Sequence, residues 1–235
     1  MVTVEYLRGS AAELHGFDPS AGVAGGVVVR VCEVTEPALV LGSRQRSGEI
    51  VDRERCAELG IDVVVRRSGG GAVLLIPGSM IWFDLWVPAT DRRFEADVRR
   101  SMVIVGAWWR AALERVDGAL SGRLSVHDGP EISSPWSDAI CFAGIGPGEV
   151  LLDGRKLVGV SQRRSAAGAR FQTMAHHHND LAVMESLLVP GVLAAEAALR
   201  SAASIAIIEP SGSGDDALGE PLLAALVDQI DHAGS

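Results

Sequence analysis

Glu149-Val150-Leu151-Leu152-Asp153-Gly154-Arg155-Lys156-Leu157-Val158-Gly159-Val160-Ser161-Gln162 holds two apolar runs parted by one Asp-Gly pair. The pattern predicts a two-residue hairpin, because both turn positions need φ > 0 and Asp and Gly tolerate it. Lys156 then leaves the second strand just past the turn, on the face expected for Val158 and Val160. A solitary cation on a rigid hairpin among apolar neighbours is poorly placed for a surface salt bridge. It is well placed to hold a carbonyl or phosphate oxygen, which points to acyl or phosphoryl chemistry.

Upstream lies Arg66-Arg67-Ser68-Gly69-Gly70-Gly71-Ala72-Val73, a glycine loop preceded by arginines. Without β-carbons, Gly69, Gly70 and Gly71 let backbone N–H groups come close to a ligand, and they equally suit a tight turn. Around these two segments the sequence alternates strand and helix signals. Residues 38–41 and 61–66 read as strands, and 51–59 as a short helix ending at Gly60. Over 80–87, Ile81, Phe83, Leu85 and Val87 share one face, with Trp82, Asp84 and Trp86 on the other, so both faces are expected to be covered. Phe94, Val98, Met102, Val105, Trp109, Leu113 and Val116 recur at helical steps over 94–116. Residues 190–200 and 218–232 read as helices, 204–208 as a strand and 210–216 as a loop. The expected fold class is α+β, a mainly antiparallel sheet packed with helices.

The chain has 235 residues, 48% of them hydrophobic, which suffices for one full core, and the whole is expected to form a single domain. No apolar run approaches the length needed to span a bilayer, and no secretory signal is legible at the start, so no membrane role is expected. Cys32, Cys56 and Cys141 are odd in number and widely spaced, which argues for a reducing compartment, by default the cytoplasm. A net charge of −9 argues against nucleic acid as a partner, since neutralising phosphates takes clustered Lys and Arg.

These motifs resemble the lipoate-protein ligase A family, relatives of the biotin-protein ligases. The family signature, an Arg-x-Ser-Gly-Gly-Gly-Ala-Val loop followed by a Gly-(Arg/Lys)-Lys-hydrophobic-x-Gly-x-(Ala/Ser)-Gln hairpin, is matched by Arg66 to Val73 and by Gly154 to Gln162. Residues 37–45 and 60–64 fall at the family's order and spacing. The resemblance implies the class II synthetase-like catalytic fold, without the additional small C-terminal domain of many ligases. It also implies an acyl-adenylate route using ATP and Mg²⁺, with lipoate or octanoate as substrate. The acceptor would be a lysine of a lipoyl domain or of a glycine-cleavage H-type protein, and a partner subunit is a further implied possibility. Carried over by position, Lys156 bridges the acyl carbonyl and phosphate, and Arg66 touches phosphate oxygens. Ser68 to Val73, Gly154, Val158, Gly159, Val160 and Gln162 border the ligand, with Val73, Val158 and Val160 as acyl-slot candidates and Glu149 as a weak magnesium contact.

Two departures keep a second reading open. Where the ligases carry an aromatic-His-Asp-x-Gly-Asn run, this chain has Leu74-Leu75-Ile76-Pro77-Gly78-Ser79. In addition, Cys141-Phe142 lies eight positions before Glu149, as in the cysteine-dependent octanoyltransferases of the same superfamily, which take the acyl group from acyl carrier protein without ATP. Cys141 is then a thioester nucleophile with Lys156 as its cation. A third reading is a noncatalytic acyl-binding or partner subunit. His176-His177-His178 alternate in direction along a strand and lack companions at zinc-like spacing, so they are read as a polar strand end.

Overall fold

The computed structural model describes residues 1–21, 25–45, 50–134, 136–177, 181–190 and 218–233. The elements expected over 190–200, 204–208 and 210–216, and His178, lie outside these residues. In chain order the strands are β1 (Thr3–Gly9), β2 (Val28–Val34), β3 (Ala38–Leu41), β4 (Asp62–Val65), β5 (Val73–Leu75), β6 (Met80–Pro88), β7 (Leu124–Val126), β8 (Val150–Leu152), β9 (Arg155–Ser165) and β10 (Gly168–His176). The helices are α1 (Ala11–Gly16), α2 (Arg53–Glu58), α3 (Val98–Val116), α4 (Leu181–Ser186) and α5 (Gly219–His232). Among the described residues no helix is long and apolar enough to cross a membrane.

Seven strands form one sheet in the order β1-β2-β6-β10-β9-β8-β7, antiparallel throughout except for the parallel pair β1 and β2. A smaller sheet, β4-β3-β5, carries the glycine loop between its two outer strands. The alternation in β6 is realised as expected. Ile81, Phe83, Leu85 and Val87 enter the main core with Trp109 and Leu113 of α3, while Trp82 packs on the opposite side with Leu75 and Val40. The helix expected from residue 94 begins at Val98, because Asp97 accepts a hydrogen bond from the Arg100 N–H and caps it, a cap worth about 1 kcal/mol. Phe94 precedes the helix and Val98 is exposed, so the apolar stripe starts at Met102.

The Asp153-Gly154 hairpin forms with Leu152 paired to Arg155 and both turn residues at positive φ. One register shift follows. Val150 pairs with Val158 and Leu151 with Lys156, which leaves Leu157 as the extra residue of a bulge. The bulge changes which face Lys156 occupies. Its Cε lies 3.4 Å from where a β-carbon on Gly159 would stand, so Lys156 shares the face of Gly159, not of Val158 as alternation predicts.

Candidate active site

The glycine loop is stitched to the Cys141 segment by main-chain bonds. Ala72 N–H donates to the Ala139 carbonyl at 2.8 Å, and Cys141 N–H donates to the Ala72 carbonyl at 3.0 Å. A β-carbon on Gly71 would stand 2.4 Å from the Ile140 carbonyl carbon, so that glycine serves the approach of the chain's own backbone. Gly70 needs glycine for its φ of +93°. Gly69 alone of the three faces open space. Arg66 is buried behind the loop and donates to the carbonyls of Val40, Gly69 and Gly71. Three of the five guanidinium N–H groups of Arg66, the residue expected at phosphate oxygens, thus go to carbonyls in and beside the loop.

Lys156 is 1% exposed and Glu149 is 4% exposed, and they meet at 2.6 Å. Lys156 Nζ also donates to the Cys141 carbonyl at 2.7 Å and to the Gly144 carbonyl at 3.2 Å, and it sits over the Phe142 ring. The other Glu149 oxygen accepts from Gly146 N–H at 2.8 Å. Lys156 is thus no surface salt bridge, as expected, but it is half of a buried ion pair, and Glu149, the residue expected as a weak magnesium contact, is its partner. Burial opposes the charge on Lys156, but Cys141 and Glu149 outweigh it and hold the ammonium pKa above its ordinary value. Burial pushes Glu149 up from the carboxylate range against the pull of Lys156. Cys141 Sγ lies 4.0 Å from Lys156 Nζ, at the start of the short turn Cys141–Ala143, and is half-buried where Cys32 and Cys56 are buried.

Two cavities meet at Cys141. One is a mostly apolar pocket lined by Val40, Val73, Leu75, Trp82, Phe142, Val160 and Met174, with Arg66, His15 and Gln172 among its walls. The other is an open cleft of ≈ 580 Å³ lined by Ser68, Gly69, Gly70, Gly71, Lys156, Ser161 and Gln162. Val73, Gly159 and Val160 border the pocket, whereas Val158 lies in the main core. A β-carbon on Gly159 would meet Phe142 at 3.3 Å, so this glycine makes room for Phe142 and Lys156. Gly154 is the exposed turn and Ala72 a buried backbone link, and neither borders these two cavities. Gln162 lies 2.8 Å from the Ser101 hydroxyl and ties β9 to α3. His176 is buried edge-on to Phe142, and burial is the main reason its pKa falls to about 4. Missed from the sequence were His15 and Gln172, whose side chains meet at 3.0 Å, because α1 and β10 come together only in the fold.

The charged residues facing the cleft are Arg44, Glu131, Asp138, Glu149 and Lys156. Among the described residues, Arg44 and Lys156 are the cations of this lining, and Lys156 is already paired with Glu149. Among the described residues no group of three or more His, Cys, Asp or Glu is arranged to hold a metal.

No curated protein matches the chain. Solved structures do, at identities that establish the fold alone. A bi-partite lipoate protein ligase from Thermoplasma acidophilum, described with its E2 lipoyl domain, superposes with a TM-score of 0.68 at 14% identity, over 97% of this chain and 83% of that one. A lipoate-protein ligase A bound with ATP gives 0.65 at 14% identity, over 88% and 74%. LipL1 of P. falciparum in complex with lipoate gives 0.62 at 10% identity, over 99% and 60%. The α+β fold of the lipoate ligase catalytic domain, expected from the loop and hairpin motifs, is the fold found. The family model for the lipoyl protein ligase A/B catalytic domain matches residues 22–204, well over half of the chain, and the protein belongs to that family.

Proposed function

We propose that this chain transfers a lipoate-like or octanoyl group from a thioester donor to a protein lysine, with Cys141 as covalent carrier. The supporting observation is the place of Cys141, whose side chain borders both the apolar pocket and the open cleft with a buried ammonium 4.0 Å from its sulfur. Acyl carrier protein is the natural donor class, since its thioester needs no further activation. The Cys141 thiolate attacks the donor carbonyl, a new C–S bond forms as the donor C–S bond breaks, and the departing thiol takes the proton that Cys141 gave up. The neutral amine of the acceptor lysine then attacks. An amide forms, Cys141 leaves as thiolate, and the amine proton returns to it. Lys156 remains protonated throughout, and its bonds to the Cys141 and Gly144 carbonyls hold the turn in place. A lipoyl domain is the acceptor class, supported by the archaeal relative described with its own lipoyl domain, and a glycine-cleavage H-type protein presents the same kind of lysine.

The second reading is an ATP-dependent ligase acting through an acyl-adenylate. It is favoured by the Ser68-Gly69-Gly70-Gly71 loop on the cleft and by a similar fold solved with ATP. Transfer to a lipoyl domain, assayed for wild type and Cys141→Ser with octanoyl carrier protein and separately with octanoate plus ATP and Mg²⁺, separates the two. The thioester route predicts ATP-independent transfer that Cys141→Ser abolishes. Transfer that requires ATP and survives Cys141→Ser would establish the ligase.

A further inference from the structure

A further cavity of ≈ 330 Å³ lies outside the acyl site, and Arg67, Arg163, Arg164, Arg170, Trp86 and Asp18 are among its walls. Four guanidinium groups thus gather in a chain whose net charge is −9. Two of them are committed elsewhere. Arg170 is buried and donates to Asp84 and to the carbonyls of Leu14 and His15, and Arg164 donates to the carbonyls of Glu95 and Ala96 and to the Ser101 hydroxyl. Arg67 and Arg163 are exposed, and among the described residues neither has a hydrogen-bond or ion-pair partner. They come from the start of the glycine loop and from β9, yet the charges of both bear on Asp18, the acid of this lining, which is itself engaged by the N–H and hydroxyl of Ser20. An anion between the two arginines relieves their mutual repulsion, and the planar fork of each matches phosphate bidentately.

Strand register fixes where this cavity stands. Met174 pairs with Gly159, Gln172 with Ser161 and Arg170 with Arg163, so Gly159, Ser161 and Arg163 follow one another along one face of β9. Gly159 adjoins Lys156 and Phe142 at the reactive end, Ser161 borders both the apolar pocket and the cleft, and Arg163 borders the arginine cavity. The strand from Gly159 to Arg163 spans roughly 13 Å. Arg67 and Arg163 are also the chain neighbours of Ser68 and Gln162, which line the cleft. That distance decides between sources of phosphate. In an acyl-adenylate a single oxygen parts the phosphorus from the acyl carbon, and the rest of a triphosphate adds only a few bonds, so its phosphates stay near the reactive end. In a carrier-protein thioester about thirteen bonds of pantetheine separate sulfur from phosphorus, and an extended chain at ~1.2 Å per bond covers roughly 15–16 Å.

We infer that Arg67 and Arg163 hold the phosphate at the base of a carrier protein's pantetheine arm, while the thioester at its tip lies at the Cys141 end of the cleft. The inference rests on the pantetheine-thioester donor of the proposed function, but not on Cys141 as nucleophile. Its test is calorimetric binding of S-octyl-4′-phosphopantetheine against S-octylpantetheine, thioethers that cannot transfer an acyl group, to the full chain and to the double variant Arg67→Gln, Arg163→Gln. Both arginines are exposed, so the double variant should keep the wild-type melting temperature. The expected result is at least tenfold tighter binding of the phosphorylated thioether by wild type, with that advantage falling toward unity in the double variant while S-octylpantetheine binds both proteins alike. ATP with Mg²⁺, titrated into the same two proteins, should not distinguish them. Equal binding of the two thioethers by wild type, an advantage that survives the double substitution, no binding of either thioether, or an ATP affinity that falls tenfold with the arginines would overturn the inference. Acylation of Cys141 by octanoyl carrier protein, read separately by mass spectrometry, fails alone if only the covalent route is wrong.

Discussion

Lys156 and Glu149 form an ion pair in which both members are almost wholly out of water, and this changes what substitution should do. A lysine serving only reacting oxygens could be truncated without harm to the fold, which is the expectation the sequence raises. In the structure Lys156→Ala strands a buried carboxylate and two carbonyl acceptors, so a destabilisation of about 3–5 kcal/mol is expected along with loss of transfer. The double variant Lys156→Met, Glu149→Gln removes both charges at similar volume. It should recover most of that stability in urea unfolding while transfer stays absent. Recovery of transfer in the double variant would show that the ammonium has no chemical role.

At the scale of elements, the glycine loop and the Cys141 turn behave as one unit, since Gly71 and Ala72 lie against Ile140 and Cys141. Gly71→Ala should displace the turn that carries Cys141, lowering the melting temperature at a cost of about 1–3 kcal/mol and lowering transfer with it. Gly69→Ala meets open space and should leave stability nearly unchanged; equal losses in the two variants would contradict the stitched arrangement. The features legible from sequence were those set by local patterns. The Asp153-Gly154 turn, the two faces of β6 and the α3 stripe from Met102 onward each follow from neighbours within a few residues. What was not legible depends on register and on distant partners. The Leu157 bulge moved Lys156 to another face, and the pairing of Lys156 with Glu149 follows from that move. The central strand β10 carries Arg170 opposite Trp86 and Gln172 opposite Asp84. The Arg170 guanidinium is neutralised by Asp84 across the sheet, so polar residues mask a buried strand.

For the molecule as a whole, buried titratable groups set the response to acid. Burial, chiefly, pulls His15 to about 3 and His176 to about 4, and pushes Asp84 up to about 6. Below about pH 6.5 the unfolded chain takes up protons on both histidines that the folded chain refuses, so each removes up to ~1.4 kcal/mol per pH unit. Asp84 and Glu149 have the opposite sign, since burial raises both carboxyls and the folded chain holds their protons more firmly as the pH falls, and together they offset part of the loss from the histidines. The net expectation is a loss of stability from pH 7 to pH 5 in urea titrations, reduced in His15→Gln. A flat or rising stability over that range would mean that the histidines are charged in the fold.

The central claim is that Cys141 carries the acyl group, and intact-protein mass spectrometry of the chain mixed with octanoyl carrier protein, with no nucleotide present, tests it most directly. The account predicts one octanoyl group per chain, mapped to Cys141, lost when a lipoyl domain is added and never formed in Cys141→Ser. A chain that stays unmodified under these conditions, and transfers octanoate only once ATP is supplied, would contradict it.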